Sequence, residues 1–323
     1  MNSGHQIIYH NIFKSFKING LQVQTIGYSY YSRTTSIFSN FKFVFFSNIT
    51  IFLTLIRSKK NLPYVVTEFS NWMVFICSPV LFLFRKNVFF VINHNATYKG
   101  RFSYILKILL WLDFHFILFD GGKIVKMLSI PKKMNLHTPF FPIDNVRFQK
   151  YSPKINKSEI NVVKVGLVGI FNNSKTNYDD LSQCLHQLTS NSNVQVLFGI
   201  RGMDTDLENF LSKFGIGYVY TSTSEDYSKF LSKIDIGVIL ALREKYLFRN
   251  SGTIMDMAAS GINVVCPDYP VFRSQIEMPS QIGVCYNNIG DVSEAVNEVI
   301  NNFDLFRKNL QFYNEYRDKK RGF

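Results

Sequence analysis

The feature that most constrains the fold is a regular alternation, over residues 162–300, between short apolar runs and amphipathic segments. The apolar runs predict strands, and they are VVKVGLVGI (162–170), VQVLFGI (194–200), GYVYTS (217–222), DIGVIL (235–240), INVVCPD (262–268) and IGVCY (282–286). The segments between them predict helices, and they are YDDLSQCLHQL (178–188), DLENFLSKFG (206–215), SEDYSKFLSKI (224–234), the helix that opens at 251–253 and DVSEAVNEVI (291–300). Strands that alternate with helices form a parallel sheet covered on both faces. We therefore predict a doubly wound α/β domain.

The first half of the chain repeats this alternation less regularly. Apolar helices separate four predicted strands, at 21–29, 62–69, 87–95 and 114–120. A polar segment with prolines, residues 140–161, is typical of a linker. We therefore predict two Rossmann-like doubly wound domains that face a cleft, and ligands that bind at the carboxyl ends of the strands. The predicted parts are 1–145, a linker at 146–160, 161–304, and a C-terminal helix at 305–323 that packs back toward the N-terminal domain.

Three segments are very apolar, at 41–56, 72–84 and 104–119. Each is too short or too often interrupted by polar residues for a spanning helix of about 20 apolar residues, so we predict buried helices and strands, with one interfacial element as the alternative. No leader sequence is expected at the amino end, where residues 3–20 have helical spacing. A parallel domain normally opens with a strand, so either residues 6–10 form a strand or the first strand is absent. The four cysteines, Cys77, Cys184, Cys266 and Cys285, have no metal-ligand spacing and are predicted to be buried thiols in a reducing compartment.

Positive charge is concentrated in the first half of the chain. The whole chain has 323 residues and a net charge of +13. Residues 1–150 hold 18 Lys and Arg against four acidic residues, a net of +14, whereas 151–323 hold 18 against 19. This asymmetry indicates an anionic partner for the first half. The abundance of Phe and Trp beside basic residues favours an anionic membrane surface over nucleic acid, and no nucleic-acid-binding module is recognisable.

One helix start carries more polarity than packing requires, in FRNSGTIMDMAASG (248–261). Ser251, Gly252 and Thr253 open the helix, whose first N–H groups and dipole favour an anion. Gly252 would let a phosphate approach the backbone, and Lys245 and Arg249 would neutralise a diphosphate. Asp256, one turn further on, would accept hydrogen bonds from a ribose diol. On the motif alone, a purely structural helix cap at Ser251 is equally consistent with the pattern.

The stretch SGTIMDMAASGINVVCPDYPVFRSQI (251–276) resembles the donor-binding motif of GT-B glycosyltransferases, of the group-1, family-4-like kind found in surface polysaccharide biosynthesis. The resemblance extends to VGLVGIFNNSK (165–175), where it implies that Gly169 and Lys175 bind the diphosphate. It also extends to VINHNAT (91–97), where it implies that His94 lies near the reacting sugar. A GT-B fold and a nucleotide-diphosphate sugar donor are what this resemblance implies.

Two departures from the family pattern leave the stereochemistry open. Phe248 stands where the family has the first of two glutamates, of which Asp256 is the second, and the usual arginine before Lys175 is missing. Arg201 or Arg249 would replace that arginine. An inverting enzyme needs a carboxylate base, and Glu68 and Asp120 follow predicted strands of the first half, with Glu68 the first choice. His5 and His137 are expected to be structural.

The expected function is therefore metal-independent glycosyl transfer, in which the helix end with Lys175, Arg201 and Arg249 stabilises the departing diphosphate. No cofactor is expected beyond the sugar donor. The expected acceptor is a lipid-linked glycan of capsule, exopolysaccharide or O-antigen assembly, and the expected location is the inner face of the cell membrane, as a peripheral protein. Two alternatives remain: a nucleotide-sugar epimerase or hydrolase on the same fold, and a degenerate, non-catalytic GT-B subunit.

Overall fold

The computed structural model describes residues 53, 64–66, 82–84, 88–91, 101–121, 135–140, 162–169, 177–200, 205–247 and 249–319. These residues belong to two compact units, unit 1 (Met1–Pro139) and unit 2 (Phe140–Phe323). The predicted linker at 146–160 and the predicted strand at 21–29 lie outside the described residues, so the predicted domain boundaries stay predictions.

Unit 1 contains a parallel sheet in the order β1-β2-β3-β4. The strands are β1 (Tyr64–Val66), β2 (Val88–Val91), β3 (His115–Ile117) and β4 (Leu136–His137). A 3-10 turn at Phe82–Phe84 and the helix α1 (Arg101–Trp111) precede β2 and β3 respectively. The strands predicted at 62–69, 87–95 and 114–120 are thus present in shorter form.

Strand β4 was not predicted, because it has only two residues and no pattern of alternation. Backbone hydrogen bonds from β3 and from the residue after it reach His137 of β4 and Asn135, which directly precedes β4. Phe116 N donates to Asn135 O over 2.8 Å, and Leu118 N donates to His137 O over 2.8 Å. A strand this short forms only because its neighbour holds it, and its sequence contains no alternation of apolar and polar residues that could predict it.

The core of unit 1 explains why β2 and β3 pair. Phe90 and Phe116 are in register on one face of the sheet, fully buried, with their ring centroids 5.5 Å apart. Leu109 and Leu110 of α1 are also buried. The prediction that 104–119 is buried holds for β3 but is wrong for the other side of α1, where Tyr104, Ile108 and Trp111 are exposed.

Unit 2 contains a six-stranded parallel sheet in the order β10-β9-β8-β5-β6-β7. Its strands are β5 (Val163–Leu167), β6 (Val194–Ile200), β7 (Gly217–Tyr220), β8 (Ile236–Val238), β9 (Asn263–Pro267) and β10 (Gly283–Tyr286). Counted from β7, this is the third, second, first, fourth, fifth and sixth strand of the unit, which is the Rossmann order. The order reverses between β5 and β8, which are hydrogen-bonded neighbours.

The helices of unit 2 cover this sheet. They are α2 (Tyr178–Thr189), α3 (Thr205–Ser212), α4 (Ser224–Leu231), α5 (Arg243–Tyr246), α6 (Gly252–Ala259), α7 (Pro270–Glu277), α8 (Val292–Asn301) and α9 (Phe303–Lys319). The predicted helices are confirmed. The short helices α5 and α7 were not predicted, although α7 has a proline at its first position, where proline favours a helix start.

The three cysteines that the structure describes are free thiols, and two of them are neighbours in space. Cys184 and Cys266 are buried as predicted, whereas Cys285 is only partly buried. Cys266 and Cys285 pair in register on β9 and β10, with their sulfur atoms 3.9 Å apart. Cys77 lies outside the described residues. Within the parts of the chain that the structure describes, no helix has both the length and the apolarity needed to cross a bilayer.

Candidate functional site

The carboxyl edge of the unit 2 sheet opens at the point where strand order reverses. Val168, directly after β5, donates its N–H to Val238 O of β8 over 3.0 Å, while Ile239 N donates to Val265 O on the other side over 2.9 Å. Strand β8 is thus hydrogen-bonded to β5 on one side and to β9 on the other up to this edge. Gly169 follows Val168 with φ +145°, a conformation that favours glycine, and a Cβ there would meet nothing within 4 Å. Ligands of doubly wound sheets bind at such a point.

The start of α6 is held in place by buried hydrogen bonds. Ser251 caps the helix, because its Oγ accepts the N–H of Ile254 over 3.4 Å. The Gln275 side chain, which is completely buried, grips the backbone of Ser251 at both ends. Its Oε1 accepts from Ser251 N over 2.9 Å, and its Nε2 donates to Ser251 O over 3.2 Å. The capping role suggested by the motif is thus present, and it occupies Ser251.

The next two backbone N–H groups face no such partner. Within the described part of the chain, no hydrogen bond uses Gly252 N or Thr253 N. A Cβ built on Gly252 would meet nothing within 4 Å, so the described structure leaves open space beside this residue. Two adjacent N–H groups at the positive end of a helix are a binding site for one phosphate. The N–H groups of Gly252 and Thr253 are therefore available as donors, and the predicted contacts of Ser251, Gly252 and Thr253 with a donor phosphate stay predictions.

The predicted basic residues lie on the segment that leads into α6. Lys245, in α5, is exposed. Arg249 is half-buried, and its guanidinium carbon lies 5.5 Å from the centroid of the Tyr246 ring. Asp256 is half-buried within α6, one turn from its start. These positions are compatible with contacts to a diphosphate and a ribose, and the roles of the three residues stay predictions.

Two tyrosines that sequence reasoning missed fix the loop after β8. Tyr269 OH donates to Ala241 O over 2.6 Å, and Tyr286 OH donates to Ile239 O over 2.9 Å. Burial raises the pKa of Tyr269 to about 12 and raises that of Tyr286 well above its usual value. Both hydroxyls therefore stay protonated and keep donating at neutral pH. No local sequence signal marks them, since each reaches a carbonyl more than 25 residues away.

Asp268, part of the resembling motif, is engaged by an arginine. Arg273 donates from Nε to Asp268 Oδ1 and from Nη2 to Asp268 Oδ2, each over 2.5 Å, and from Nη1 to Glu277 over 2.8 Å. A bidentate pair of this kind fixes the carboxylate in orientation. Asp268 thus holds the start of α7 to the end of β9, which supports Gln275 in turn.

The C-terminal helix α9 fastens α6 and α7 together. Tyr313 OH donates to Gln275 O, and Asn314 Nδ2 donates to Ala258 O over 2.7 Å. Arg317, 2% exposed, donates from Nη2 to Met278 O over 2.8 Å, and its guanidinium lies between the rings of Phe140 and Tyr313. All of these partners belong to unit 2. That 305–323 also packs toward the N-terminal domain stays a prediction.

The candidate catalytic residues of unit 1 are only partly covered by the structure. Asp120 follows β3, as predicted; it is 4% exposed and has φ +52°. Its N–H donates to Pro139 O over 2.9 Å. Glu68 and His94 follow β1 and β2 in the sequence but lie outside the described residues, as do Lys175, Arg201 and Phe248 of unit 2.

Sequence reasoning also missed a pair of histidines in unit 1, although it expected His137 to have a structural role. His115 Nδ1 and His137 Nε2 are 3.1 Å apart, and the two ring planes differ by 6°. One ring therefore donates an N–H to the other. Phe89 packs against both rings. Burial lowers the pKa of both histidines; the second histidine lowers that of His115 further, while Asp113 opposes the change.

The expectation of metal-independent chemistry is not decided by these observations. Among the described residues, no group of three or more His, Cys, Asp or Glu side chains could hold a metal ion. The sequence does contain one Asp-x-Asp triplet, Asp204-Thr205-Asp206, after β6. Asp206 is exposed in the first turn of α3, and Asp204 lies outside the described residues.

No protein-family model matches the chain, and no curated protein matches it significantly. Solved structures do. The chain is similar to HepE of Anabaena in complex with UDP and glucose, at 9% identity and a TM-score of 0.56, over 98% of this chain and 92% of that one.

Two streptococcal structures are also similar. One is accessory secretory protein 1, 2 and 3 of Streptococcus pneumoniae, at 12% identity and a TM-score of 0.51, over 84% of this chain and 53% of that one. The other is the glycosylation-associated Gap123 complex of Streptococcus agalactiae, at 9% identity and a TM-score of 0.53, over 85% of this chain and 55% of that one. The chain spans about half the length of these two. The predicted fold class is confirmed: the fold is that of GT-B glycosyltransferases.

Proposed function

We propose that the protein is a glycosyltransferase that moves a sugar from a nucleotide-diphosphate donor to an acceptor hydroxyl. The observation that carries the proposal is the start of α6 in a sheet of Rossmann order: the N–H groups of Gly252 and Thr253 have no described hydrogen-bond partner, and a Cβ on Gly252 would meet nothing within 4 Å. The fold shared with HepE supports it, because that protein was solved with UDP and glucose.

The proposed donor site combines this helix end with nearby side chains. Gly169 leaves room for the donor beside the end of β5. Lys245 and Arg249, with Lys175 and Arg201, neutralise the diphosphate, and Asp256 accepts hydrogen bonds from the ribose. In this proposal, fixed N–H groups and cations stabilise the charge on the departing diphosphate, and no metal is required. His94 contacts the reacting sugar, and Glu68 is the base, with Asp120 as second candidate.

A single methyl group tests the donor site. In Gly252→Ala, the added Cβ has no protein neighbour within 4 Å, and alanine favours a helix, so the unliganded protein keeps or slightly gains stability. A phosphate on Gly252 N and Thr253 N would instead meet the methyl group. We expect affinity for UDP, ADP or GDP, whichever binds the unmodified protein, to fall at least tenfold by calorimetry.

The matched control is Gly217→Ala, at the amino end of β7, where a Cβ also meets nothing within 4 Å. That variant should bind the nucleotide like the unmodified protein. Unchanged nucleotide affinity in Gly252→Ala would rule out the proposed phosphate position, and absence of binding by the unmodified protein would count against the transferase itself.

The proposed acceptor is a lipid-linked glycan of surface polysaccharide assembly, met at an anionic inner membrane surface. Two features support this part of the proposal. Residues 1–150 carry a net charge of +14, and α1 exposes aromatic side chains in the same half of the chain. Charge and aromatic residues together are what peripheral binding to anionic lipid requires.

A second candidate is a non-catalytic GT-B subunit of an assembly. Phe248 in place of a glutamate favours it, and so does similarity to two structures that are themselves multi-protein complexes. Product analysis with a nucleotide-sugar donor separates the candidates. A glycosylated acceptor identifies the transferase, a free or epimerised sugar identifies the hydrolase or epimerase, and an unchanged donor identifies the non-catalytic subunit.

A further inference from the structure

The outer face of α1, formed by Tyr104, Ile108 and Trp111, is apolar, although a surface helix normally turns polar side chains to solvent. Tyr104 and Trp111 are 71% and 75% exposed, and Ile108 is 46% exposed. A helix turns about 100° per residue, so the three positions lie within about 60° of one another around its axis. Leu109 and Leu110 lie on the opposite side and are buried. The helix is therefore apolar on both sides, and only one side has the core of unit 1 to pack against.

The side-chain types of this face favour the interfacial region of a bilayer. Trp and Tyr have an apolar ring and a polar tip, and they concentrate where a membrane meets water. Lys107 is exposed beside Ile108. A lysine in this place can lay its aliphatic stem along apolar surface and extend its ammonium group to lipid phosphates.

The charge of the sequence that leads into and forms α1 favours a membrane over an apolar groove of another protein. Residues 69–112 contain five basic residues, Arg85, Lys86, Lys99, Arg101 and Lys107, and no acidic residue. A protein groove would be matched by the apolar side chains alone. An anionic lipid surface is matched by the apolar side chains and the excess positive charge together.

We propose that the outer face of α1 is the membrane-contacting surface of the protein. It places Tyr104, Ile108 and Trp111 among the headgroups of an anionic bilayer, and Lys107 pairs with lipid phosphates. The inference rests on the proposed function in that docking would bring the protein to a lipid-linked acceptor. Docking itself requires no transfer and can be measured without a sugar donor.

Vesicles of phosphatidylcholine with 30% phosphatidylglycerol test the proposal on the full chain. We expect the protein to co-sediment with them and the tryptophan emission to shift to the blue. In Trp111→Phe the shift is lost while binding is largely retained. In the triple variant Tyr104→Ser, Ile108→Ser and Trp111→Ser, the partition coefficient falls at least tenfold.

The matched control is Leu305→Ser with Phe312→Ser, which removes exposed apolar side chains from α9 of unit 2 and should leave vesicle binding unchanged. Vesicle binding by the triple variant at the level of the unmodified protein overturns the proposal. So does a blue shift that depends on protein concentration without vesicles, which identifies a second copy of the chain on this face. Gly252→Ala should bind vesicles like the unmodified protein, and the triple variant should bind nucleotide like the unmodified protein. The two measurements therefore test the membrane-contacting surface and the donor site separately.

Discussion

At the scale of single residues, the proposed catalytic base has to be chosen between two carboxylates of unit 1, Glu68 and Asp120. Asp120 combines deep burial with a left-handed backbone at the end of β3. Asn accepts that conformation as readily as Asp does, so Asp120→Asn removes the charge without straining the turn. This makes Asp120→Asn a matched control for the residue ranked first, Glu68.

We expect Glu68→Gln to reduce transfer at least a hundredfold while nucleotide affinity stays the same, because a general base acts on the acceptor hydroxyl and not on the donor. Asp120→Asn should retain most of the activity. The measurement is initial rate of glycosyl transfer beside calorimetric nucleotide affinity. Full activity in Glu68→Gln removes Glu68 as the base, and loss of activity in Asp120→Asn alone transfers the role to Asp120.

The residues around α6 show which part of a site a sequence can reveal. The helix start at Ser251, Gly252 and Thr253 could be recognised in the sequence, because a helix cap and a phosphate-binding helix start are both formed by neighbouring residues. Gln275 could not, because its hydrogen bonds join it to a residue 24 positions away. Nothing in the local pattern of α7 distinguishes a glutamine that faces the core from one that faces solvent.

At the scale of elements, the His115–His137 pair makes the β3–β4 edge sensitive to pH. The pKa of each histidine is lowered from its ordinary value of 6.5. A lowered pKa means that the unfolded chain binds the proton more readily than the folded unit does, so protonation favours unfolding. The penalty is absent above the unfolded pKa and grows as the pH falls below it. Protonation of both rings also removes the hydrogen bond between them.

We therefore expect the urea midpoint of unit 1 to be lower at pH 5.5 than at pH 7.5, with a smaller difference in His137→Gln. Fluorescence follows unit 1 directly, because both tryptophans, Trp72 and Trp111, belong to it. His186→Gln in α2 of unit 2 is the control and should leave the difference unchanged. Equal pH dependence in His137→Gln and the unmodified protein would contradict this account.

The elements that the sequence did not predict share a physical cause. The long periodic segments of unit 2 were recognisable, since each buries one face over several turns or residues, as α2 does with Leu181, Cys184, Leu185 and Leu188. The strand β4 and the helix α5 have two and four residues. Elements of that length contain no full period, and they form because hydrogen bonds to neighbouring elements hold them.

At the scale of the whole molecule, the uneven charge predicts how binding to a membrane responds to salt. Residues 1–150 carry +14, while 151–323 carry −1. Attraction of exposed charges to anionic lipid weakens as the screening length falls, from about 10 Å at 0.1 M salt to about 3 Å at 1 M. We expect co-sedimentation with phosphatidylglycerol vesicles to fall at least tenfold between 50 mM and 500 mM NaCl. Binding that does not change with salt and is equally strong on vesicles of phosphatidylcholine alone would refute the electrostatic contribution to membrane binding.

The architecture of the molecule was predictable further than its site. Alternating strand and helix patterns indicate a parallel sheet. The strand order of that sheet is seen only in the structure, because right-handed crossovers are compatible with more than one doubly wound order. The chemistry was less predictable, because Glu68, His94, Lys175 and Arg201 are single residues at the ends of separate strands. Only the folded arrangement of the loops determines which of them meet.

The Gln275 clamp on Ser251 has a consequence for the thermodynamics of recognition. A loop that must be ordered on binding loses conformational entropy at that moment and weakens the complex accordingly. Here, the rim before α6 is ordered in advance, by a side chain that is itself tied through its carbonyl to Tyr313 of α9. The conformational entropy of the residues before α6 is therefore lost when unit 2 folds, and not when a ligand binds. If a nucleotide binds at the start of α6 as proposed, its affinity would lose little to the ordering of Ser251, because Gln275 already holds that residue.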